Sequence, residues 1–358
     1  SSPWCASPRR RRSASATSLG IDLHKRESQV CVLDAHGGVT ETRIVTTRER
    51  FATALAPYGP ACILLEASTE SEWVATHLES LGHAVIVADP NFAPMYATRS
   101  RRVKTDRRDA RTLADALRLG AYRPAHRTTP ARRHVRAELA VREALVRART
   151  RFINVAKALV RRDGLRVRSS TAEHVAERIS ELPLAAALAA ELAPLLAVLT
   201  PLNAQIATAD ARMARLSQTD PTVALLATAP AIGPITASAI VAIGDDITRF
   251  ASAHQFEAYL GLVPGERSSG EKRQVGHITK AGKRRARMLL VEAAWRIVRS
   301  RTVETAALRA WALRIALRRG QRIAVVALAR RLAGILYAMW RDGRAYDATQ
   351  LRSPAMTD

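Results

Sequence analysis

The sequence is poor in cysteine, and this shortage restricts its class. Only three cysteines occur among 358 residues, at Cys5, Cys31 and Cys62. Their wide spacing fits no zinc motif and no disulfide framework. Cys31 and Cys62 fall in apolar, strand-like runs, where we expect small buried residues. A reducing, cytosolic setting is therefore expected.

Acidic residues are also scarce relative to basic ones. The chain has 32 Asp and Glu against 56 Lys and Arg, which gives a formal net charge of +24. Charge of this size predicts attraction to polyanions, with DNA or RNA as the default partners. An anionic membrane surface is the competing partner. No apolar run near the ~18 residues of a spanning helix is recognised in the sequence, so no membrane partner is expected.

The first 18 residues lack the apolar core of a signal peptide, although they carry four arginines, Arg9 to Arg12. We interpret residues 1–18 as a basic disordered arm or a start-site artefact. Hydrophobic content of 47% predicts folded domains rather than disorder. A length of 358 residues exceeds one compact core, so two or three domains are expected.

Strand and helix patterns alternate after this arm. Residues 19–23, 29–34 and 39–46 predict a meander of three antiparallel strands. Residues 61–66 and 83–88 predict buried strands, each followed by a helical pattern. The predicted order is βββαβαβα, an α/β domain whose sheet is covered by helices on both faces.

Four acidic residues occupy notable positions in this pattern. Asp22 lies inside the first strand and Glu66 ends the fourth, while Asp106 and Asp109 open a helix predicted over residues 106–119. Residues three apart project from one helix face. The alternatives are strand-end carboxylates that reach solvent and a surface helix of mixed charge. A charge within an apolar strand is costly unless it is paired or metal-bound, so the four together favour a divalent metal site.

Basic residues crowd around the helical pair, at Arg101, Arg102, Lys104 and Arg107. Carboxylates inside a basic patch repel nucleic acid unless a cation bridges the two. This arrangement predicts that Arg101, Arg102 and Lys104 contact nucleic acid beside the metal site.

The middle of the chain, from residue 131 to about 217, has apolar residues at helical spacing among many arginines. Long antiparallel helices, as in a coiled-coil hairpin, are expected, with an interruption at Thr200-Pro201. Their role would be dimerisation, gripping nucleic acid, or simply connecting domains.

A second helical region with a serine-containing loop follows. Residues 225–237 predict helix, tight turn, helix, a geometry that suits a phosphate. Residues 263–273 are interpreted as a polar loop holding Ser268 and Ser269, which is a candidate nucleophile or phosphate site; the alternative is a solvated basic loop. The basic residues predicted to bind nucleic acid here are Arg267, Lys272, Arg273, Lys280, Lys283 and Arg284.

Several motifs, taken in order, resemble one family, the "IS one-ten" type insertion-sequence transposases, relatives of the Piv DNA invertases that are also described as bridge-RNA-guided DEDD recombinases. The similarity covers about residues 19 to 347. The motifs that carry it are Gly20-Ile21-Asp22, Leu65-Glu66-Ala67, Lys104-Thr105-Asp106-Arg107-Arg108-Asp109-Ala110, Ala229-Pro230-Ala231-Ile232-Gly233-Pro234-Ile235-Thr236-Ala237, Tyr259-Leu260-Gly261-Leu262-Val263-Pro264, Ser268-Ser269-Gly270, Ile278-Thr279-Lys280-Ala281-Gly282 and Arg341-Asp342-Gly343-Arg344-Ala345-Tyr346-Asp347.

The resemblance implies an α/β plus all-α chain: an RNase H-like (RuvC-like) domain, a coiled-coil connector and a helical transposase domain. It implies that Asp22, Glu66, Asp106 and Asp109 bind magnesium, with two ions expected. It also implies that Ser269, the residue before the glycine, attacks DNA. The implied partners are donor and target DNA, a structured guide RNA, and a second copy of the chain in a homodimer or higher oligomer.

The expected domains are residues 19–125 for the RuvC-like part, 126–217 for the connector and 218–347 for the helical transposase part, with a tail at 348–358. The expected location is the bacterial cytoplasm, at the nucleoid during reaction. One alternative function is a nuclease or junction resolvase that hydrolyses DNA with the acids alone. Another is a nucleic-acid-binding protein without enzymatic activity.

Overall fold

The computed structural model describes residues 17–34, 36–96, 106–269 and 272–348. The side chains of Asp106, residues 267–269 and residues 272–275 are outside this description. The predicted DNA contacts Arg101, Arg102 and Lys104, nearly all of the basic arm and the tail after residue 348 also lie outside it. The chain divides between Arg127 and Thr128 into two compact units. The boundaries predicted for the connector and the transposase part stay predictions.

The first unit is built on a five-stranded sheet with the order β3-β2-β1-β4-β5. The strands are β1 Ser18–Leu23, β2 Glu27–Leu33, β3 Val39–Val45, β4 Cys62–Glu66 and β5 Ala84–Ala88. The first three pair antiparallel, as the predicted meander requires, and β4 and β5 join parallel to β1. The prediction of strand order is therefore confirmed.

Helices cover both faces of this sheet, as predicted. They are α1 Arg48–Leu55, α2 Ser71–Ser80 and α3 Asp106–Leu119. On one face Ile21 and Ile63 pack among apolar residues of α1 and α2, including Phe51 and Leu78. On the other face α3 provides the cover, and its bounds match the predicted helix. Strands buried on both sides explain why the β4 and β5 runs are almost wholly apolar.

The second unit is mainly helical. Its helices are α4 Pro130–Arg162, α5 Val175–Ser180, α6 Ala186–Thr219, α7 Pro221–Leu226, α8 Pro234–Gly244, α9 Ala253–Tyr259, α10 Arg284–Arg299, α11 Val303–Arg319 and α12 Gln321–Asp342. Two strands, β6 Pro264–Ser269 and β7 Lys272–Ile278, form a separate antiparallel pair. The largest core of the unit joins α7 to α12 around Phe256, Leu290 and Leu332.

Helices α4 and α6 run antiparallel, because polar contacts link successive residues of α4 to residues ever earlier in the chain. The linked pairs are Arg132 with Asp220, Arg142 with Asp210, Arg149 with Asn203, and Arg162 with Glu191. The predicted pair of long antiparallel helices is confirmed. A coiled-coil seam within it stays a prediction.

The expected break at Thr200-Pro201 is wrong, because α6 continues through both Pro194 and Pro201. A proline inside a helix removes one backbone hydrogen bond and costs about 3 kcal/mol. Leu199, Leu202 and Ile206 are buried beside it, and burial of large apolar side chains offsets that cost.

Two helices of the described chain, α6 and α12, are long and apolar enough to cross a membrane by length and composition. The expectation that no such run exists is therefore wrong. Glu191 is the sole charged residue between Ala186 and Ala209, which explains the apolar character of α6. Half of the apolar window of α12 is buried in the second unit, against 17% for α6. Length and apolar composition alone do not establish a membrane span, since the core helices of soluble proteins meet the same two criteria.

The interpretation of residues 263–273 as a loop is also wrong in part, because β6 and β7 form a hairpin there. Polar side chains concealed the strands, since the alternation that identifies a half-buried strand needs an apolar face. The pairing of the hairpin shifts between Pro264 and Glu266, where Pro264 pairs with Ile278 and Glu266 with Val275. One extra residue therefore bulges from β7.

We predict a pH-dependent contribution from His83 at the start of β5. Its Nδ1 accepts a hydrogen bond from the Ala61 backbone N–H at 3.3 Å, and burial lowers the pKa of this imidazole. The unfolded chain therefore binds a proton at a higher pH than the folded chain does. Stability from this group is present above the ordinary histidine pKa and is lost as the pH falls below it.

The substitution His83→Gln keeps an acceptor but cannot titrate. We expect the fall in melting temperature between pH 7 and pH 5 to be smaller for this variant than for the parent. The same change at His36→Gln, an exposed histidine, is the control. An equal fall in parent and His83→Gln would contradict the assignment.

Candidate active site

Two of the predicted acids lie side by side at one edge of the first unit's sheet. Strands β1 and β4 are parallel neighbours with Ile21 opposite Leu65. Asp22 and Glu66 are the next residues of each strand, so both fall on the same row. Residues in one row of adjacent strands project from the same face of a sheet. The two carboxylates are therefore neighbours, as the sequence predicts.

Each of these acids has a polar contact that sequence reasoning missed. His24 Nε2 lies 3.3 Å from Asp22 Oδ2, and the Tyr96 hydroxyl donates a hydrogen bond to Glu66 Oε2 at 2.9 Å. His24 could have been found, because it is two residues beyond Asp22 on the same side of the strand. Nothing in the sequence indicated the contact of Tyr96 with Glu66, since the two residues are 30 positions apart. Asp22 is largely shielded, with its side chain 13% exposed.

Helix α3 packs directly on the face that carries these acids, because β1 has a glycine at the contact. A Cβ added to Gly20 would lie 2.2 Å from the Ala110 carbonyl oxygen and 2.3 Å from the Ala114 backbone nitrogen. Those are backbone atoms, which cannot move aside independently. The close approach brings the start of α3 to the acidic face. Asp109, directly before Ala110, is half-buried there.

The cysteine of this interface is structural. Cys31 lies opposite Gly20 on β2 and packs with Leu33, Ala110 and Ala114. Burial raises the pKa of the Cys31 thiol to about 11, so it stays protonated at neutral pH and is a poor nucleophile. The expectation of a buried Cys31 is confirmed, and Cys62 is half-buried.

The acids together offer only carboxylate oxygens, the donors that magnesium prefers. In the described part of the chain, no three His, Cys, Asp or Glu side chains are grouped closely enough to hold a metal ion. Asp106 begins α3, but its side chain falls outside the description. Asp22 and Glu66 on the sheet and Asp109 on α3 are the described members of the predicted set, and their side chains do not form such a group of three.

The predicted nucleophile lies at the end of a strand in the second unit. Ser269 closes β6 and pairs with Lys272, while Ser268 pairs with Arg273 and Arg267 with Gln274. The backbone thus places Arg267, Ser269, Lys272 and Arg273 on one short two-stranded ribbon.

The base of this ribbon is fixed by two of the motifs that the sequence singles out. Lys280 has a left-handed φ of +54°, and its N–H donates to the Gly261 carbonyl oxygen at 3.2 Å. Gly282 has a φ of +136°, and a Cβ there would lie 2.3 Å from the Tyr259 carbonyl oxygen. The glycine is therefore required for the segment after β7 to lie against the segment before β6.

Cationic side chains cluster on aromatic rings at the same base. The Arg249 guanidinium lies 4.9 Å from the ring centres of both Phe250 and Tyr259, and Lys283 Nζ lies 5.6 Å from the Tyr259 ring. Lys280, Lys283 and Arg284 are exposed, as contacts to a polyanion require. Arg249 was missed by sequence reasoning, because its partners became evident only from the fold.

Comparisons with known proteins agree with this arrangement. Residues 19–162 match a DEDD transposase family of the IS110 type, and residues 223–309 match the family described as transposase IS116/IS110/IS902. The first match spans the acidic sheet, the five-stranded sheet that carries Asp22 and Glu66. The second spans the serine ribbon, the pair of strands β6 and β7 that carries Ser269.

Whole-length relatives lead to the same class. A probable family 20 transposase of Pseudomonas aeruginosa is 32% identical over 332 residues, covering 90% of this chain and 96% of that protein. The transposase for insertion sequence element IS1111A of Coxiella burnetii is 30% identical over 94% of this chain and 93% of its own length. The transposase for insertion sequence element IS1328 of Yersinia enterocolitica is 29% identical over 92% and 98%.

The acidic sheet, the serine ribbon and these relatives define the class of the protein, an insertion-sequence transposase, which is a DNA-processing enzyme. Within that class the chain belongs to the IS110/IS116/IS902 family. DNA is therefore its substrate, and the similarity to this family is confirmed.

We predict that Gly20→Ala destabilises the first unit, because the new methyl group meets two backbone atoms of α3. Overpacking of this kind costs about 1–3 kcal/mol, measured as the free energy of unfolding in urea. Gly233→Ala is the control, since nothing lies within 4 Å of a Cβ there and its φ of −87° suits alanine. Equal stability of Gly20→Ala and the parent would show that α3 does not depend on this contact.

Proposed function

We propose that this transposase cleaves and exchanges DNA strands with two cooperating groups, the acids of the first unit and Ser269 of the second. The observation that carries the proposal is the adjacency of Asp22 and Glu66 on one sheet row, with α3 packed on the same face. Partly buried carboxylates that lie side by side repel one another and are costly unless cations offset them.

Asp22, Glu66, Asp106 and Asp109 would hold magnesium, with two ions expected, and the metal would supply charge stabilisation at the attacked phosphate. His24 and Tyr96 restrict the carboxylates of Asp22 and Glu66 before any ion arrives. Preorganised ligands of this kind reduce the ordering that binding requires.

In the proposed reaction the Ser269 hydroxyl attacks phosphorus. Its oxygen forms a phosphoserine bond as a deoxyribose oxygen leaves, and the proton passes from one oxygen to the other. The energy of the phosphodiester is conserved in this covalent link, so strands can be rejoined without a high-energy cofactor. Arg267, Lys272 and Arg273 share the ribbon with Ser269 and would hold the DNA backbone.

The partners that we propose follow from charge and from the family. Donor and target DNA are bound by the basic chain, and a structured guide RNA pairs with both. The chain acts as a homodimer or higher oligomer, so that the acids and the serine reach the same phosphate within one chain or across two. The reaction takes place in the bacterial cytoplasm, on nucleoid DNA.

A second candidate is a nuclease or junction resolvase in which water attacks the phosphate. The supporting observation is that the adjacent acids and α3 all belong to the first unit, so hydrolysis would not need the serine ribbon. In that case Ser269 would only bind phosphate.

Substitution of the serine separates these two candidates. We expect Ser269→Ala to abolish the protein–DNA adduct seen on a denaturing gel, while Ser268→Ala, its neighbour on the ribbon, retains the adduct. Asp22→Asn should abolish metal-dependent cleavage altogether. Full strand exchange by Ser269→Ala would exclude the serine as nucleophile, and cleavage without any adduct in the parent would favour hydrolysis.

The guide RNA is tested by sequencing the RNA that copurifies with the protein. We expect one defined, structured RNA encoded beside the transposase gene, because a guide must be produced together with the enzyme. Recovery of bulk tRNA and rRNA fragments alone would contradict the proposal. The same preparation treated with ribonuclease serves as the control.

A further inference from the structure

A cavity of about 300 Å³ opens beside Asp22 at the end of the first unit's sheet. It is at the lower end of the size range of small-ligand pockets. Its lining comes from the turn between β1 and β2, from β2 and from β3, namely His24, Arg26, Glu27, Ser28, Gln29 and Arg43. None of these residues belongs to the predicted acids or to the predicted DNA contacts.

The cavity continues the row of acids across the sheet. Gln29 on β2 lies directly opposite Asp22 on β1, and Arg43 on β3 lies opposite Gln29. The row on this face therefore reads Arg43, Gln29, Asp22, Glu66. Neighbouring strands of a sheet lie about 5 Å apart, so a nucleic-acid strand bound at Asp22 and Glu66 would be within one strand spacing of the Gln29 amide.

Gln29 is the most informative residue of the lining. It is 9% exposed, and in residues that the structure describes its side-chain amide makes no hydrogen bond. The residue as a whole is buried, but its amide lines the cavity, where it offers both a hydrogen-bond donor and an acceptor. A polar ligand in the cavity would supply the missing partner.

Charge in the cavity favours an anion. Arg26 and Arg43 outnumber Glu27, and His24 adds a further donor. Glu27 forms an ion pair with Arg43, which orients the guanidinium at the rim. Arginine binds phosphate oxygens through two parallel N–H groups, so it suits a phosphodiester better than a diffuse anion.

The wall of the cavity is held rigidly by Thr46. Its N–H donates to the Arg26 carbonyl oxygen at 2.9 Å, its hydroxyl donates to the His24 carbonyl oxygen at 2.9 Å, and the same hydroxyl lies 2.7 Å from Ser28 Oγ. The turn that carries His24 and Arg26 is thus fixed before any ligand binds, which reduces the entropy cost of binding.

We infer that this cavity binds one nucleotide of the strand that the acids act on, with its phosphate at Arg26 and Arg43 and its sugar or base at the Gln29 amide. The inference rests on the proposed function, because it takes the acids as the place where the strand is cut. It adds a site that sets which phosphate is presented to them.

The test measures binding, without cleavage, of fluorescein-labelled 20-nucleotide single strands to the full chain in EDTA. DNA and RNA strands of one sequence are compared. We expect Arg43→Gln to weaken binding roughly three- to tenfold and to reduce the slope of log K against log salt by about 0.7, the value for one phosphate on a single strand. Arg50→Gln, which removes an exposed arginine of α1, is the charge-matched control.

Two further variants, Gln29→Leu and Glu27→Gln, test the cavity independently if Arg43→Gln disturbs the turn between β1 and β2. Gln29→Leu should weaken binding roughly two- to tenfold without changing the salt slope, since it removes neutral hydrogen bonds. Its melting temperature should stay close to that of the parent, because the Gln29 amide makes no hydrogen bond to the described residues. Glu27→Gln should tighten binding several-fold, since it removes a negative charge from the cavity.

A loss that is larger on DNA than on RNA would support the inference, and a larger loss on RNA would overturn it, because the acids act on DNA. Equal affinities of parent, Gln29→Leu and Arg43→Gln on both probes would overturn the inference. If the cavity variants bind like the parent but Asp22→Asn still abolishes cleavage, the inference about the cavity fails and the proposed function stands. If Ser269→Ala still exchanges strands, the role of the serine in the proposed function fails, and the binding measured in EDTA is unaffected.

Discussion

The contact between Gly20 and α3 is the constraint on which the candidate site depends. The strands of the first unit pair through their backbones, and α1 and α2 pack on the sheet through ordinary apolar side chains. At Gly20 a helix backbone lies against a strand backbone, and only hydrogen at the Gly20 Cα leaves enough room. This approach fixes the distance between the acids of the sheet and the start of α3. The motif Gly20-Ile21-Asp22 thus combines a spacing requirement and a proposed metal ligand within three residues.

Most of the first unit could be predicted from sequence because its signals are local. Continuous apolar runs ended by turn residues gave β4 and β5, and the spacing of Asp106 and Asp109 within a helical pattern gave α3 with its bounds. The sequence could not predict that Asp22, Gln29 and Arg43 lie in one row across the sheet, because this row depends on the pairing register of three strands. Register is set by long-range contacts that a single strand's pattern does not contain.

The failures in the second unit have a common physical cause, namely that tertiary contacts overrule local preference. Pro201 would break an isolated helix, yet buried leucines keep α6 continuous past it. The serine ribbon has no apolar alternation, yet it pairs as two strands because its base is fixed at Gly261 and Gly282. Residues of the predicted set outside the described chain, such as Lys104, stay predictions, and so do the roles of Asp106 and Ser269.

The arginines show that net charge is a poor measure of the surface available to nucleic acid. Arg142 and Arg162 of α4 form ion pairs with acids of α6. Arg149 of α4 pairs with Glu173, just before α5, and Arg285 contacts Glu143 within the unit. These side chains hold the helices together, so they contribute less to long-range attraction than a count suggests. Electrostatic steering would rest on the exposed basic residues near the ribbon and the acidic sheet.

The extra residue in β7 has a consequence for how this enzyme family can diverge. Between the base of the ribbon and its tip, the bulge opposite Pro264 and Glu266 separates two pairing registers. Loss or gain of a single codon at that point would change the register between the residues on the two sides of the bulge, without a substitution elsewhere in either strand. The position of the tip, which carries the proposed nucleophile, is thus open to change by insertion and deletion as well as by substitution.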